Sequence, residues 1–102
     1  KPVVVSEFGG DALAGLHGTR DERWTEEYQE YLYQQNLAML EKIPNLRGLS
    51  PWILADFRSP RRVLPKIQDG WNRKGLISNQ GVRKKAFYTL RDFYRKMEAR
   101  YD

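Results

Sequence analysis

Val3, Val4 and Val5 form an unbroken apolar run that stops at Ser6-Glu7. A strand covered on both faces reads this way rather than alternating, so a strand is predicted over about Val3 to Ser6. Phe8 to Gly18 follows with Gly9, Gly10, Gly15 and Gly18 and no clean period, which makes it a loop. Helical spacing begins near Glu26 and lasts to about Lys42. Tyr28, Tyr31, Leu32, Met39 and Leu40 fall on one stripe. Thr25 is a plausible N-cap, Glu26 and Glu27 suit the positive end of the helix dipole, and Pro44 forbids continuation.

A second strand is predicted over about Leu46 to Leu54, weakened by Gly48 and Pro51, with Asp56 just beyond it. Arg58 to Gln80 is charged, carries prolines and glycines, and reads as a long loop, a class that is often functional. A second helix is predicted over about Val82 to Ala99. Ala86, Phe87, Leu90, Phe93, Tyr94 and Met97 lie along one side of it, with Arg and Lys along the other. The order β-loop-α-β-loop-α implies parallel pairing through a helical crossover, hence an α/β fold. Two strands do not make a stable sheet alone. The chain therefore reads as two neighbouring units of a larger barrel.

Composition narrows the chemistry. At 102 residues the chain is far short of the roughly 250 that eight βα units need. It opens on Lys1-Pro2-Val3, without an initiator Met or signal peptide, and is expected to be a piece of a longer protein. No apolar run is long enough to span a bilayer, and no membrane role is expected. Without Cys there are no disulfides or thiolate ligands. The single His17 argues against a histidine metal site or a Ser/His/Asp triad. No nucleophile elbow, phosphate loop or dinucleotide fingerprint is present. No metal or cofactor is implied.

The formal charge is +5. The excess gathers in Arg83, Lys84, Lys85, Arg91, Arg95, Lys96 and Arg100, and in Arg58, Arg61, Arg62, Lys66, Arg73 and Lys74. Such clusters can neutralise phosphates. A solvated helix face is the preferred reading, and no nucleic-acid partner is expected.

Three stretches could carry chemistry. Glu7 ends a buried strand, where α/β barrels place catalytic groups, and could act as nucleophile, base or metal ligand. Asp11 and Asp56 are further acids, but no spacing demands a metal. An ordinary Glu–Arg pair is the plainer alternative. Trp52 could wall a sugar site or simply fill the barrel. Asn72 and Lys74 stand two apart, so on extended backbone both project to one side and suit an anionic oxygen pair. A polar turn is the alternative there.

Five stretches occurring in order resemble the uronidase branch of glycoside hydrolase family 2, the bacterial β-glucuronidases. They are Val5-Ser6-Glu7-Phe8-Gly9, Asp11 to His17, Trp24 to Gln29, Trp52 to Phe57, and Asn72-Arg73-Lys74-Gly75-Leu76. Arg58 to Arg62 is similar to gut-bacterial members rather than mammalian ones. The resemblance implies the last two βα units of a (β/α)8 TIM barrel, one over 1–45 and one over 46–102. It implies a retaining hydrolase releasing terminal β-glucuronic acid, with Glu7 as nucleophile and Asn72 and Lys74 on the uronate carboxylate. Trp52 would line the sugar subsite, with the Asp11 and His17 loop bordering it. Phe8 stands where the family usually has Tyr. The acid/base carboxyl lies on an earlier strand, so this chain alone is expected to be inactive. The remainder of the barrel, a glucuronide substrate and a homo-oligomeric full-length enzyme are the implied partners. β-Galacturonidase, β-galactosidase and, from another class, a small basic interaction module stay open. Aglycone and compartment are not specified.

Overall fold

The computed structural model describes residues 3–6, 8–44 and 46–101. Its elements are β1 (Val3–Ser6), α1 (Glu26–Leu40), β2 (Leu46–Ser50), β3 (Phe57–Arg58), β4 (Trp71–Asn72) and α2 (Lys85–Tyr101). β1 and β2 pair in parallel, with Val4 opposite Gly48, Val5 opposite Leu49 and Ser6 opposite Ser50. The parallel α/β arrangement read from the pattern is therefore present. α1 and α2 pack together, and Tyr33, Leu37, Leu76, Ala86, Leu90 and Phe93 form the core. Phe8, Leu49, Phe87 and Met97 close it from the sheet and helix sides. On β1, Val4 stays 71% exposed, although parallel sheets are normally covered on both faces.

Several boundaries differ from the expectation, each for a physical reason. Thr25 caps α1 as predicted, its hydroxyl oxygen accepting the Tyr28 N–H at 3.1 Å. The helix ends at Leu40, short of Lys42, because the Lys42 and Ile43 N–H groups reach back only three residues, to Met39 and Leu40. Its buried stripe is Glu26, Gln29, Tyr33, Leu37 and Leu40. Of the stripe expected through Tyr28, Tyr31, Leu32, Met39 and Leu40, only Leu40 belongs to this buried face, and Met39 is 60% exposed. The inward face is partly polar because it meets backbone rather than side chains. Gln29 Nε2 donates to the carbonyls of Gly10 (2.9 Å) and Gly75 (3.0 Å).

β2 stops at Ser50, before Pro51. The predicted loop from Arg58 to Gln80 contains a hairpin: β3 pairs antiparallel with β4, Phe57 opposite Asn72 and Arg58 opposite Trp71. Strand-length periodicity does not reveal two-residue strands. α2 starts at Lys85 rather than Val82, because Arg83 is held in an extended bridge to Ile77. The cap is remote: Glu26 Oε1 accepts the Lys85 N–H at 2.8 Å. On α2 the expected face packs at Ala86, Leu90 and Phe93, while Tyr94 remains 45% exposed, its hydroxyl donating to the Leu49 carbonyl at 3.3 Å.

Candidate functional site

Backbone hydrogen bonds set the motif stretches side by side. The Trp52 N–H donates to the Phe8 carbonyl (2.9 Å), and the Ile53 N–H to the Lys74 carbonyl (3.2 Å). The Ala12 N–H donates to the Arg73 carbonyl at 3.0 Å. The residue after Glu7, the Trp52 segment, the Asp11 loop and the Asn72–Lys74 motif thus share one edge of the molecule. Glu7 itself lies outside the described residues.

Asn72 is the last residue of β4 and is buried. Its Oδ1 accepts the Lys74 N–H at 2.9 Å, an Asx turn that bends the chain around its own side chain. With the oxygen so engaged, the amide hydrogens are what Asn72 has to offer a ligand. Lys74 is half-buried. Asp11 is also half-buried, and desolvation pushes its carboxyl above the ordinary range. Lys74 exerts the strongest opposing pull on it, followed by Arg23, Arg62 and Lys84. Trp52 is 39% exposed and meets Phe57 edge-on, with ring centroids 6.2 Å apart.

Beneath the motif lies an ion cluster. Asp56 Oδ1 accepts from Lys84 Nζ (2.9 Å) and from the Gly75 N–H (2.9 Å), and Oδ2 from Arg73 Nη1 (3.3 Å). Lys84 also donates to the carbonyls of Ala12 (2.6 Å) and Arg73 (3.1 Å). Arg73 donates in addition to the Ile67 carbonyl (2.9 Å) and Asn79 Oδ1 (2.8 Å). Burial pulls the Lys84 ammonium below its ordinary range, against the hydrogen bond and charge of Asp56. Lys84 is 0% and Arg73 9% exposed. On charge pattern both fall in the basic clusters read as solvated, and for these two the structure corrects that reading. No sequence signal separates them, since a buried Lys looks like any other until its partners converge.

His17 sits elsewhere, among the helix starts. Its Nδ1 lies 2.9 Å from Glu27 Oε2, and the side chain is half exposed. Glu26 Oε2 accepts the Gly15 N–H at 2.7 Å, which ties this loop to α1. Partial desolvation alone would raise the Glu27 carboxyl. Hydrogen bonds from His17, Lys85 and the Gly18 N–H outweigh it and hold the carboxyl at about 2, against an ordinary 4.5. A carboxyl lowered by folding adds stability above the unfolded value and loses it as pH falls toward the folded one. In the full-length protein, the melting-temperature advantage over Glu27→Gln is expected to hold above pH 4.5 and to shrink between 4.5 and about 2. A constant difference through that window would show that these bonds do not lower Glu27.

A concavity of about 480 Å³ opens beside Arg73, lined by Leu13, Trp71, Asn79 and Gln80 among others. Asn72, Lys74 and Trp52 do not line it. Among the described residues no group of His, Asp or Glu is arranged to hold a metal ion.

No family model matches the chain. The β-glucuronidase of Streptococcus agalactiae is 40% identical to it over 78 residues, 76% of this chain and 12% of that protein. A β-glucuronidase structure from Faecalibacterium prausnitzii matches with a TM-score of 0.79 and 32% identity, over 94% of this chain and 16% of the other. A glycoside hydrolase family 2 β-galacturonidase from Eisenbergiella tayi, bound to galacturonate, matches with a TM-score of 0.80 and 25% identity, over 94% and 17%. The chain thus spans less than a fifth of the length of each of these relatives. By sequence and by fold it belongs to the β-glucuronidases of glycoside hydrolase family 2.

Proposed function

We infer that residues 1–45 and 46–102 are the last two βα units of a (β/α)8 barrel, and that the whole protein is a retaining β-glucuronidase. The open face at Val4 supports the first part, since further strands would cover it. The observation that carries the second is the backbone ladder from Phe8 through Trp52 and Ile53 to Lys74. It sets a motif suited to a carboxylate one segment away from the strand that leads to Glu7.

In this reading Glu7 attacks the anomeric carbon while an acid from an earlier strand protonates the departing oxygen. The two carboxyls of a retaining site stand about 5 to 5.5 Å apart. The glycosyl bond to Glu7 is then hydrolysed by water, with the same partner now acting as base. The Asn72 amide and the Lys74 ammonium bind the uronate carboxylate. Trp52 offers a wall to the sugar ring, and Asp11 belongs to the loop bordering it, while His17 on the same loop is engaged by Glu27 instead. The chain alone lacks the partner acid and is inactive by itself.

A second reading, β-galacturonidase, draws support from the galacturonate-bound neighbour. An amide and an ammonium read the carboxylate, not the configuration at C4. The test is Lys74→Ala in the full-length protein, assayed on a glucuronide, a galacturonide and the matching neutral glycosides. A charge-assisted hydrogen bond contributes about 1.5–3 kcal/mol, so kcat/KM on the uronides should fall roughly 10- to 100-fold. The neutral glycosides should barely change. Equal loss on both would remove Lys74 as the carboxylate reader, and the ratio of the two uronides in the parent chooses between the sugars.

A further inference from the structure

The short segment from Arg73 to Gly75 is pinned from several directions. The Arg73 carbonyl accepts from the Ala12 N–H (3.0 Å) and from Lys84 Nζ (3.1 Å). The Lys74 carbonyl accepts from the Ile53 N–H, and the Gly75 carbonyl from Gln29 Nε2. The Gly75 N–H donates to Asp56 Oδ1. Two side chains organise this. Lys84 spends its three ammonium hydrogens on three stretches: Ala12 in the loop after β1, Arg73 in the motif, and Asp56 beyond β2. Asp56 accepts from the motif twice, at the Arg73 guanidinium and the Gly75 amide.

Stability does not require such a device. Desolvating an ion pair costs so much that well-packed apolar residues often serve as well or better. What an apolar filling cannot do is fix direction. An ammonium with three carbonyl and carboxylate partners holds three backbone segments at set distances and angles.

We propose that Asp56 and Lys84 form a positioning pair that sets the Asn72 and Lys74 side chains against the Asp11 loop, and thereby determines selectivity for a carboxylate-bearing sugar. The proposal rests on the reading of Asn72 and Lys74 as the uronate site. Neither Asp56 nor Lys84 touches the sugar. Loosening the pair lets the motif drift, and the penalty falls on the carboxylate contact rather than on bond cleavage.

The experiment uses the full-length protein with two inhibitors, uronic isofagomine and isofagomine, which differ by the carboxylate. The double variant Asp56→Asn/Lys84→Met removes both charges of the pair, and leaves the buried Arg73 guanidinium with the neutral oxygens of Ile67 and Asn79. Asp56→Asn alone keeps an acceptor oxygen but leaves the buried Lys84 ammonium without its carboxylate. Lys74→Ala serves as the reference. The double variant is expected to fold with a lowered melting temperature and to shift the Ki ratio at least tenfold toward the carboxylate-free inhibitor. KM for the glucuronide should rise while kcat stays within about threefold. Asp56→Asn should move the ratio the same way by less. Parallel weakening of both inhibitors, or an unchanged ratio, overturns the proposal and leaves the cluster a purely structural feature. If the double variant does not fold, the ratio in Asp56→Asn decides; if neither folds, the cluster is structural and the proposal falls. If Lys74→Ala collapses the ratio but the cluster variants do not, the positioning proposal alone is lost. If Lys74→Ala leaves the ratio intact, the uronate reading falls and takes this proposal with it.

Discussion

Replacing Glu7 with alanine in the full-length protein is expected to lower glucuronide turnover by a factor on the order of 10⁴ or more, the scale of loss when a covalent nucleophile is removed. The substrate should still bind, because Asn72, Lys74 and Trp52, the proposed carboxylate reader and sugar wall, are untouched. A small anion such as azide should restore part of the rate. It would enter the space vacated by the carboxylate and attack the anomeric carbon from the same face, as the partner acid protonates the departing oxygen. The product would be the α-glycosyl azide, the inverted configuration, which identifies the missing group as a nucleophile rather than a base. In the wild type, a 2-fluoro glucuronide with a good leaving group should label the peptide containing Glu7, detected by mass spectrometry. Labelling of a different carboxylate would displace Glu7 from the role.

Gly75→Ala is expected to damage folding severely. A methyl at this position would lie 2.2 Å from the Asp56 amide nitrogen, 2.5 Å from the Ala55 carbonyl carbon and 2.6 Å from Asp56 Oδ1. Two of the three are backbone atoms, which cannot rotate aside. The same shift would break the Gly75–Asp56 hydrogen bond and strain the ion cluster beneath the motif. A loss on the order of 4 kcal/mol or more follows, the range reserved for overpacking combined with a broken buried network. Gly81→Ala supplies the contrast. Its φ is +85°, but nothing lies within 4 Å of the added methyl, so the loss should be only about 1–2 kcal/mol of left-handed backbone strain. Soluble yield and melting temperature of the two variants would read the difference. Equal behaviour would mean that the backbone around Gly75 is not closely packed.

Much of this organisation was legible beforehand. The valine run, the Thr25 cap, the barrier at Pro44 and the apolar face of the second helix all follow from local steric and hydrophobic rules, and the structure has them. The errors share a cause. The buried face of α1 departs from the apolar stripe because Glu26 and Gln29 point inward to satisfy backbone groups of Gly10, Gly15, Gly75 and Lys85. α2 starts later than its pattern predicts because its cap comes from a residue far away in sequence. The β3–β4 hairpin leaves no periodic signal because each arm is two residues long.

The amino-acid order by itself determined the parallel α/β alternation, the family, and the identity of the candidate residues Glu7, Trp52, Asn72 and Lys74. The alternation and the candidates rest on side-chain type and spacing, and the family on a resemblance of whole motif stretches; all are properties of the chain before it folds. Only the tertiary structure decided that Lys84 and Arg73 are buried beside Asp56 rather than solvated, and that His17 pairs with Glu27 at a helix start. A charge is stable in either setting, in water or among fixed partners. Which one it occupies depends on whether segments distant in sequence bring carbonyls and carboxylates to it, and that is settled by packing.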